Sequence, residues 1–341
     1  MKIVLQLPSV KRINSTRPRK CKYCQGETFQ RWGQVAKKIK DTRIRTVTVE
    51  RFRCTSCKRT FRHYPTGITH AQQSERLKKL AVICWSLGLS YRGLALILTA
   101  FGVELSRMSG WRDVQAEGEA LRRKLRWKRA RLVGVDGAWL DGEGLMVAVD
   151  LGDGQLLSIA QIDEKDKAAV AGWLQELKQQ HDIGAIVSDD LSMYPNIAER
   201  LELGHQVCQF HVRRWVGRTC WELKESLPEE WLWVLEEVKA LMESMLPESS
   251  RRLHALWKQL PGDKRRTGQD TPVERLRRLL ARLVTSWERY TTFFQDAEIP
   301  WTNNRTEQMI GKFKSRARRT RGYKTEDGRL NGILVSSQSW C

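Results

Sequence analysis

Residues 131–162 read RLVGVDGAWLDGEGLMVAVDLGDGQLLSIAQI. Three apolar runs, RLVGVDGAWL, GLMVAVDLGDG and QLLSIAQI, are separated by Gly/Asp turns, the pattern of an antiparallel meander. Working outward, KDKAAVAGWLQELKQQ (165–180) has the apolar spacing of a helix, and GAIVSDD (184–190) is a buried strand ending on a carboxylate. SMYPNIAERLEL (192–203) reads as helical with a break near Pro195, and HQVCQFH (205–211) as another strand.

The order β-β-β-α-β-α-β predicts an α/β RNase H-like catalytic core. In it three antiparallel strands are extended by parallel ones through helical crossovers. From about 212 to 300 the chain turns helical and rich in tryptophan (Trp215, Trp221, Trp231, Trp233, Trp257, Trp287), which predicts an all-α insertion with most of these rings in its core. Pro261, Gly262 and the charged DKRRTGQDT predict an exposed loop within it. The core resumes at IPWTNNRTEQMIGKFKSRARRTRGYKTEDG (299–328), where Thr302 or Asn303 caps a helix carrying Glu307. Strands one and four are neighbours in such a core, so Asp136 and Asp189 are expected side by side, with the late helix offering Glu307. Each aspartate alone has an ordinary alternative, a turn for Asp136 and a helix cap for Asp189 or Asp190. An apolar strand burying Asp136 makes that alternative costlier, since a lone buried carboxylate needs a partner. Hard oxygen donors of this kind suit two Mg²⁺ or Mn²⁺ ions. Such a pair can activate an attacking oxygen and offset charge on a leaving one, as phosphodiester chemistry requires.

Ahead of the core, Cys21-x-x-Cys24 and Cys54-x-x-Cys57 each place two thiolates on a tight turn. They predict a zinc ribbon holding one structural Zn²⁺, with an extra hairpin in the long gap between the pairs. Residues 71–130 predict three helices with Ser90 as an N-cap, arranged as a helix-turn-helix. Ser106, Arg107, Ser109, Trp111 and Arg112 then fall on the recognition helix. The expected segments are a ribbon at 1–66, a helix-turn-helix at 67–130, the core at 131–211, the insertion at 212–300, and the core's final helix with a basic tail at 301–341.

Charge supports this division. Of 341 residues, 60 are Lys or Arg and 39 Asp or Glu, a net charge of +21. Residues 1–130 carry 30 basic against 8 acidic side chains, 131–311 carry 22 against 29, and 312–330 carry 8 against 2. Basic arms flanking an acidic centre point to a polyanion, and to nucleic acid first. Arg305, Lys312, Lys314, Arg316, Arg318, Arg319 and Arg321 recur on several faces of one helix, as phosphate tracking would place them. No window approaches the roughly 20 apolar residues of a membrane span, and the N-terminal apolar run is too short for a secretory signal. A soluble, cytoplasmic protein is expected.

VGVDGAW (133–139), VSDDLSMY (187–194), CQFH (208–211) and TNNRTEQMIGKFKSRARRTRGY (302–323) together resemble bacterial insertion-sequence transposases of the DDE type, related to the Mutator group. The resemblance covers about 131–330, with a ribbon and helix-turn-helix front end common in such enzymes. It implies a DNA transposase with Asp136, Asp189 and Glu307 as catalytic metal ligands. It also implies binding to terminal inverted repeats and target DNA, in a homodimer or higher synaptic oligomer. The chain departs from the pattern at Asp189-Asp190, where relatives often show one Asp before Gly; Asp189, directly after the strand, is the first choice. The resemblance places His211 near the scissile phosphate as proton donor or phosphate ligand; a structural Cys208/His211 pair at the strand end is the alternative. A DNA-binding regulator derived from a transposase, or another nuclease of the same fold, would share many of these features.

Overall fold

Valine, isoleucine and leucine fill the strands expected from 131 onward. The computed structural model describes residues 6–14, 16–262, 271–320 and 323–338. Arg321 and positions 263–270 of the expected loop lie outside these. Two units are distinguished, Lys124–Gly311 and Met1–Arg123 with Lys312–Cys341. Residues 312–341 therefore group with the N-terminal part of the chain, whereas the sequence suggested one core segment from 301.

In the unit Lys124–Gly311 the strands are β4 (Leu132–Leu140), β5 (Glu143–Asp150), β6 (Leu156–Ala160), β7 (Ala185–Ser188) and β8 (Gly204–Val207). They form one sheet in the order β6-β5-β4-β7-β8. The β4–β5 and β5–β6 pairs are antiparallel, and β4–β7 and β7–β8 are parallel. The parallel strands are reached through α4 (Lys167–His181) and α5 (Met193–Arg200). These helices seal one sheet face through Val133, Val135, Trp173, Leu174, Ile186 and Tyr194. Pro195 does not break α5. It sits in the first turn, where a missing N–H has no intrahelical partner to lose.

After β8 the chain enters α6 (Gln209–Lys224), α7 (Leu232–Ser244), α8 (Ser249–Gln259) and α9 (Pro272–Tyr290). These helices close around their own core of Val216, Leu235, Leu253, Leu280 and Trp287. Trp215, Trp231 and Trp257 pack against that core, but Trp221 and Trp233 are exposed at 74% and 43%. The expectation of buried tryptophans fails for those two. The ends of the insertion meet, because Gln209 N–H donates to the Trp301 carbonyl at 2.9 Å. Helix α10 (Asn304–Thr320) begins immediately afterward.

In the other unit, β1 (Phe29–Lys38), β2 (Thr46–Cys54) and β3 (Thr60–His63) form an antiparallel sheet, and β1–β2 is the hairpin expected between the cysteine pairs. The helices α1 (Glu75–Ser86), α2 (Tyr91–Ala100) and α3 (Arg107–Leu125) follow. Ser74 and Ser90 cap α1 and α2 by accepting from Leu77 and Gly93 N–H groups. Leu77, Ala81, Leu94, Leu98, Val103 and Leu105 form their shared core. An unanticipated helix, α11 (Glu326–Ser337), adds Val335 to Val82, Trp85 and Val114. Its small, mixed residues carry little amphipathic signal, so the sequence did not reveal it. Among the described residues no helix is long and apolar enough to cross a membrane.

One buried charge ties the hairpin to the helices. Asp41, fully buried, accepts from Arg76, from the Ser74 hydroxyl and from the Arg43 and Ile44 N–H groups. Although burial opposes its charge, the Arg76 guanidinium and these donors hold its carboxyl down to about 2. The folded value lies below the unfolded one, so the stabilisation is complete above about pH 4 and drains away as pH falls toward 2. Asp41→Ala is expected to cost about 3 kcal/mol in denaturant melts at pH 7, as for other broken buried pairs, with the difference shrinking near pH 2.

Candidate functional site

Asp136 sits in the middle of β4 and Asp189 directly after β7. Parallel pairing runs Leu132↔Ala185, Val133↔Ile186, Gly134↔Val187, and continuing it two residues brings Asp136 level with Asp189. Side chains alternate along a strand, so Asp136 shares its face with Gly134. That face receives the start of α10. A Cβ on Gly134 would lie 2.1 Å from Thr306 Oγ1 and 2.2 Å from Asn303 Oδ1, so only glycine permits the approach. Asn303, 2% exposed, donates from Nδ2 to the Val135 carbonyl at 2.9 Å and accepts the Thr306 hydroxyl at 2.6 Å. Its carbonyl accepts the first helical bonds from Thr306 and Glu307. Asn303 is thus the helix cap and the anchor of the Glu307 turn on β4, which decides between the two expected caps.

Glu307 Oε1 lies 2.8 Å from His211 Nε2. Cys208 precedes α6, and its sulfur accepts the Asn303 N–H at 3.3 Å. Cys208, His211 and Glu307 place one ligand atom each within 4.8 Å of one another. Asp136, Asp189 and Glu307 form no such group among the described residues, because Glu307 is held on the imidazole. Glu307 still bears electrostatically on Asp136, and Asp136 on Asp189. Burial raises Asp136 to about 6, with Glu164 adding most among its neighbours and Glu307 contributing. Burial raises Asp189 to about 7, and Glu164 and Asp136 add to it.

Glu164 is the residue that sequence reasoning missed. Its carboxyl, itself pushed up by burial, accepts the Tyr194 hydroxyl at 2.8 Å and fills the space a side chain on Gly137 would need. Gly137 has the opposite parity from Asp136, so Glu164 presses from the other sheet face. The only signal was the glycine after Asp136, which is too common to single out.

The two adjacent aspartates part company. Asp190 is engaged by Arg282 at 2.6 Å, Tyr290 at 2.9 Å and the Trp215 indole at 3.3 Å. Asp189 Oδ1 is buried with no partner. That orphaned oxygen beside the Asp136 carboxylate is a donor set that suits a hard cation. A cleft of 340 Å³ opens beside it, lined by Asp189, His211, Arg214, Trp215, Arg218 and Arg282 among others. Trp215 and Arg282 also line the next cleft, with Arg275 and Arg278, so cationic side chains continue away from Asp189.

The other metal candidate is Cys21, Cys24, Cys54 and Cys57, whose sulfurs all lie within 4.8 Å of one another. The Cys21–Cys57 and Cys24–Cys54 separations are 3.8 and 3.6 Å, close to the edge of a tetrahedron of Zn–S bonds, about 3.8 Å. The two knuckles repeat: Gln25 and Lys58, each following a pair, take φ of 62° and 59°. The Cys57 and Ser56 N–H groups draw the Cys54 thiol down to about 6, favouring the thiolate a metal needs. Four thiolates at these separations could hold a zinc ion.

Arg107 and Arg112 are exposed near the start of α3, and Lys312, Arg318 and Arg319 are exposed on α10, with Lys314 half-buried. Arg305 is exposed, but its guanidinium engages the Leu151 carbonyl. Arg316 is a correction. It is 3% exposed, stacks over Trp85 at 4.2 Å and donates to the Leu89 carbonyl, so it belongs to packing and not to a phosphate surface.

Residues 166–329 match the family model described as Transposase IS66 family. The match contains Asp189, His211 and Glu307, begins after Asp136, and supports a transposase. No curated protein matches the chain.

Two outcomes follow from this geometry. The folded Asp189 carboxyl binds its proton more tightly than the unfolded one, so stability falls as pH rises from about 4, the unfolded value, and the loss levels off above about 7. In chelator, Asp189→Asn is expected to raise the melting temperature at pH 8 by roughly 2–4 °C, about 1 kcal/mol, and to leave it unchanged at pH 4. Elemental analysis is expected to find about one zinc per chain, lost in Cys54→Ser together with the ribbon's circular-dichroism signal.

Proposed function

We propose that the protein is a metal-dependent DNA transposase of DDE type whose RNase H-like core cuts phosphodiester bonds and joins 3′-OH ends to target DNA. The observation that carries this reading is Asp136 on β4 with Asp189 directly after the adjacent parallel strand β7, and Asn303 fastening the Glu307 turn to β4. The IS66 match over 166–329 and the Mutator-like motifs support it. Two Mg²⁺ or Mn²⁺ ions held by Asp136, Asp189 and Glu307 would supply activation of the attacking oxygen and offset charge on the leaving one. His211 orients Glu307 through Nε2 and stands at the mouth of the cleft, where it can also meet a phosphate oxygen. Arg214 supplies positive charge in the cleft for the strand that reaches Asp189, while Arg218 and Arg282 are committed to Glu222 and Asp190. The cysteine cluster serves as a structural zinc site, and helices α1–α3 serve as a helix-turn-helix with Arg107 and Arg112 turned to DNA. Lys312, Lys314, Arg318 and Arg319 add phosphate contacts, and the paired DNA ends of such a reaction call for a dimer or larger assembly.

One observation favours a second reading, a DNA-binding regulator without catalysis: the three carboxylates do not gather at ligand distance, since Glu307 rests on His211. A strand-joining assay separates the two. With Mg²⁺ and a precleaved transposon end, the wild type is expected to join DNA. Asp136→Asn, Asp189→Asn and Glu307→Gln are expected to abolish joining while keeping end binding. His211→Gln, which loosens the carboxylate without removing it, is expected to slow joining by ~10–100-fold. Unimpaired joining by Glu307→Gln rules out its place among the ligands, and no joining by the wild type favours the regulator.

A further inference from the structure

Outside the carboxylate site a cleft lies over β2 and β3. It has a volume of 660 Å³ and is lined by Lys22, Arg51, Arg62, His63, Tyr64 and His70 among others, with no aspartate or glutamate in its wall. Arg51 and Arg62 are direct cross-strand partners in the β2–β3 register. Like charges placed opposite each other destabilise a sheet, and neither arginine has an ion-pair partner among the described residues. The pair is thus a local conflict that folding does not explain.

The wall is held by bonds that leave the cleft's charge exposed. Lys37 Nζ donates to the Thr69, His70 and Ala71 carbonyls and lies 5.2 Å above the Tyr64 ring, fixing the segment that brings Thr69 and His70 to the cleft. Lys22 approaches the same ring at 5.6 Å. Burial lowers the Lys37 ammonium, and the nearby Arg62 and Lys78 charges lower it further, as a positive local potential requires. An arginine pair at one sheet register, a lysine and two imidazoles around an open cleft make a phosphate receptor. Guanidinium forks match phosphate oxygens two at a time.

We propose that this cleft is a phosphodiester-binding site that seats the backbone of duplex DNA between Arg51 and Arg62, anchoring the ribbon without reading sequence. The inference rests on the transposase reading only for the identity of the polyanion. Duplex DNA is favoured over a small anion because the cleft is open and its cations come from β2, β3 and the flanking segments of Lys22 and His70, so more than one phosphate can be met.

The test uses the full-length, zinc-loaded protein and a labelled random-sequence 30-bp duplex, with affinity followed by anisotropy across a salt series. Arg51→Gln with Arg62→Gln is expected to flatten the dependence of log Kd on log salt by about 0.9 per arginine removed. Its melting temperature should match or exceed the wild type's, because a repulsion has been deleted. The Arg51→Lys, Arg62→Lys variant is expected to keep the wild-type slope. An unchanged slope in the glutamine variant overturns the proposal and leaves the transposase reading intact, since strand joining is measured separately. A fall in melting temperature of the glutamine variant also overturns it, by making the pair structural. Tighter binding of an RNA duplex of equal length, with loss on the same substitutions, overturns the assignment to DNA. A wild type that leaves the DNA duplex unbound takes both readings down together.

Discussion

The unit that carries the carboxylates depends on one close contact, the seating of the α10 N-terminus on β4. Asn303 replaces a solvent contact with a buried amide-to-carbonyl bond at Val135, and Gly134 removes the Cβ that would block it. A buried amide left unpaired costs about 1–3 kcal/mol, so this contact specifies one position for the helix as well as stabilising it. Cys208 joins the arrangement by accepting the Asn303 N–H, and His211, one turn further along α6, holds Glu307. Elements far apart in sequence are thereby locked to the strand that bears Asp136.

The electrostatics of that face follow from the same packing. Sheet and helices exclude water from Asp136 and Asp189, and the resulting penalty on their charged forms outweighs any single neighbour. Glu164, fixed by Tyr194 on the opposite face, adds repulsion without reaching the Gly134 side. Asp190 shows the contrasting case. Its charge is taken up by Arg282 and two ring donors, which makes it part of the joint between the sheet and the helical insertion. The division of labour between two consecutive aspartates is therefore a matter of partners, not of residue type.

Much of the architecture was legible because it rests on periodicity and punctuation. The meander at 131–162, the crossover helices and the cysteine pairs each leave a short-range signature, and the strand order followed from their succession. What escaped depends on contacts distant in sequence. Asn303 looked like one of two possible caps, and only the fold reveals its bond to Val135. Arg316 shared its neighbours' composition yet is buried on Trp85. Glu164 lies in an unremarked loop. Trp221 and Trp233 show that aromatic richness in a helical segment does not fix which side of the helix a ring occupies.

The hydrogen bond from Gln209 to Trp301 has a consequence for how such a chain can change. The helical insertion leaves and re-enters the sheet at adjoining points, which the Gln206, Gln209 and Thr292 side chains also bond across, and its hydrophobic interior is largely its own. The entropy of closing a long excursion grows only slowly with its length. Helices can be added to or trimmed from this excursion with little penalty to the strands beneath it. Insertion size is therefore free to drift over evolutionary time while the strands that position Asp136 and Asp189 keep their register.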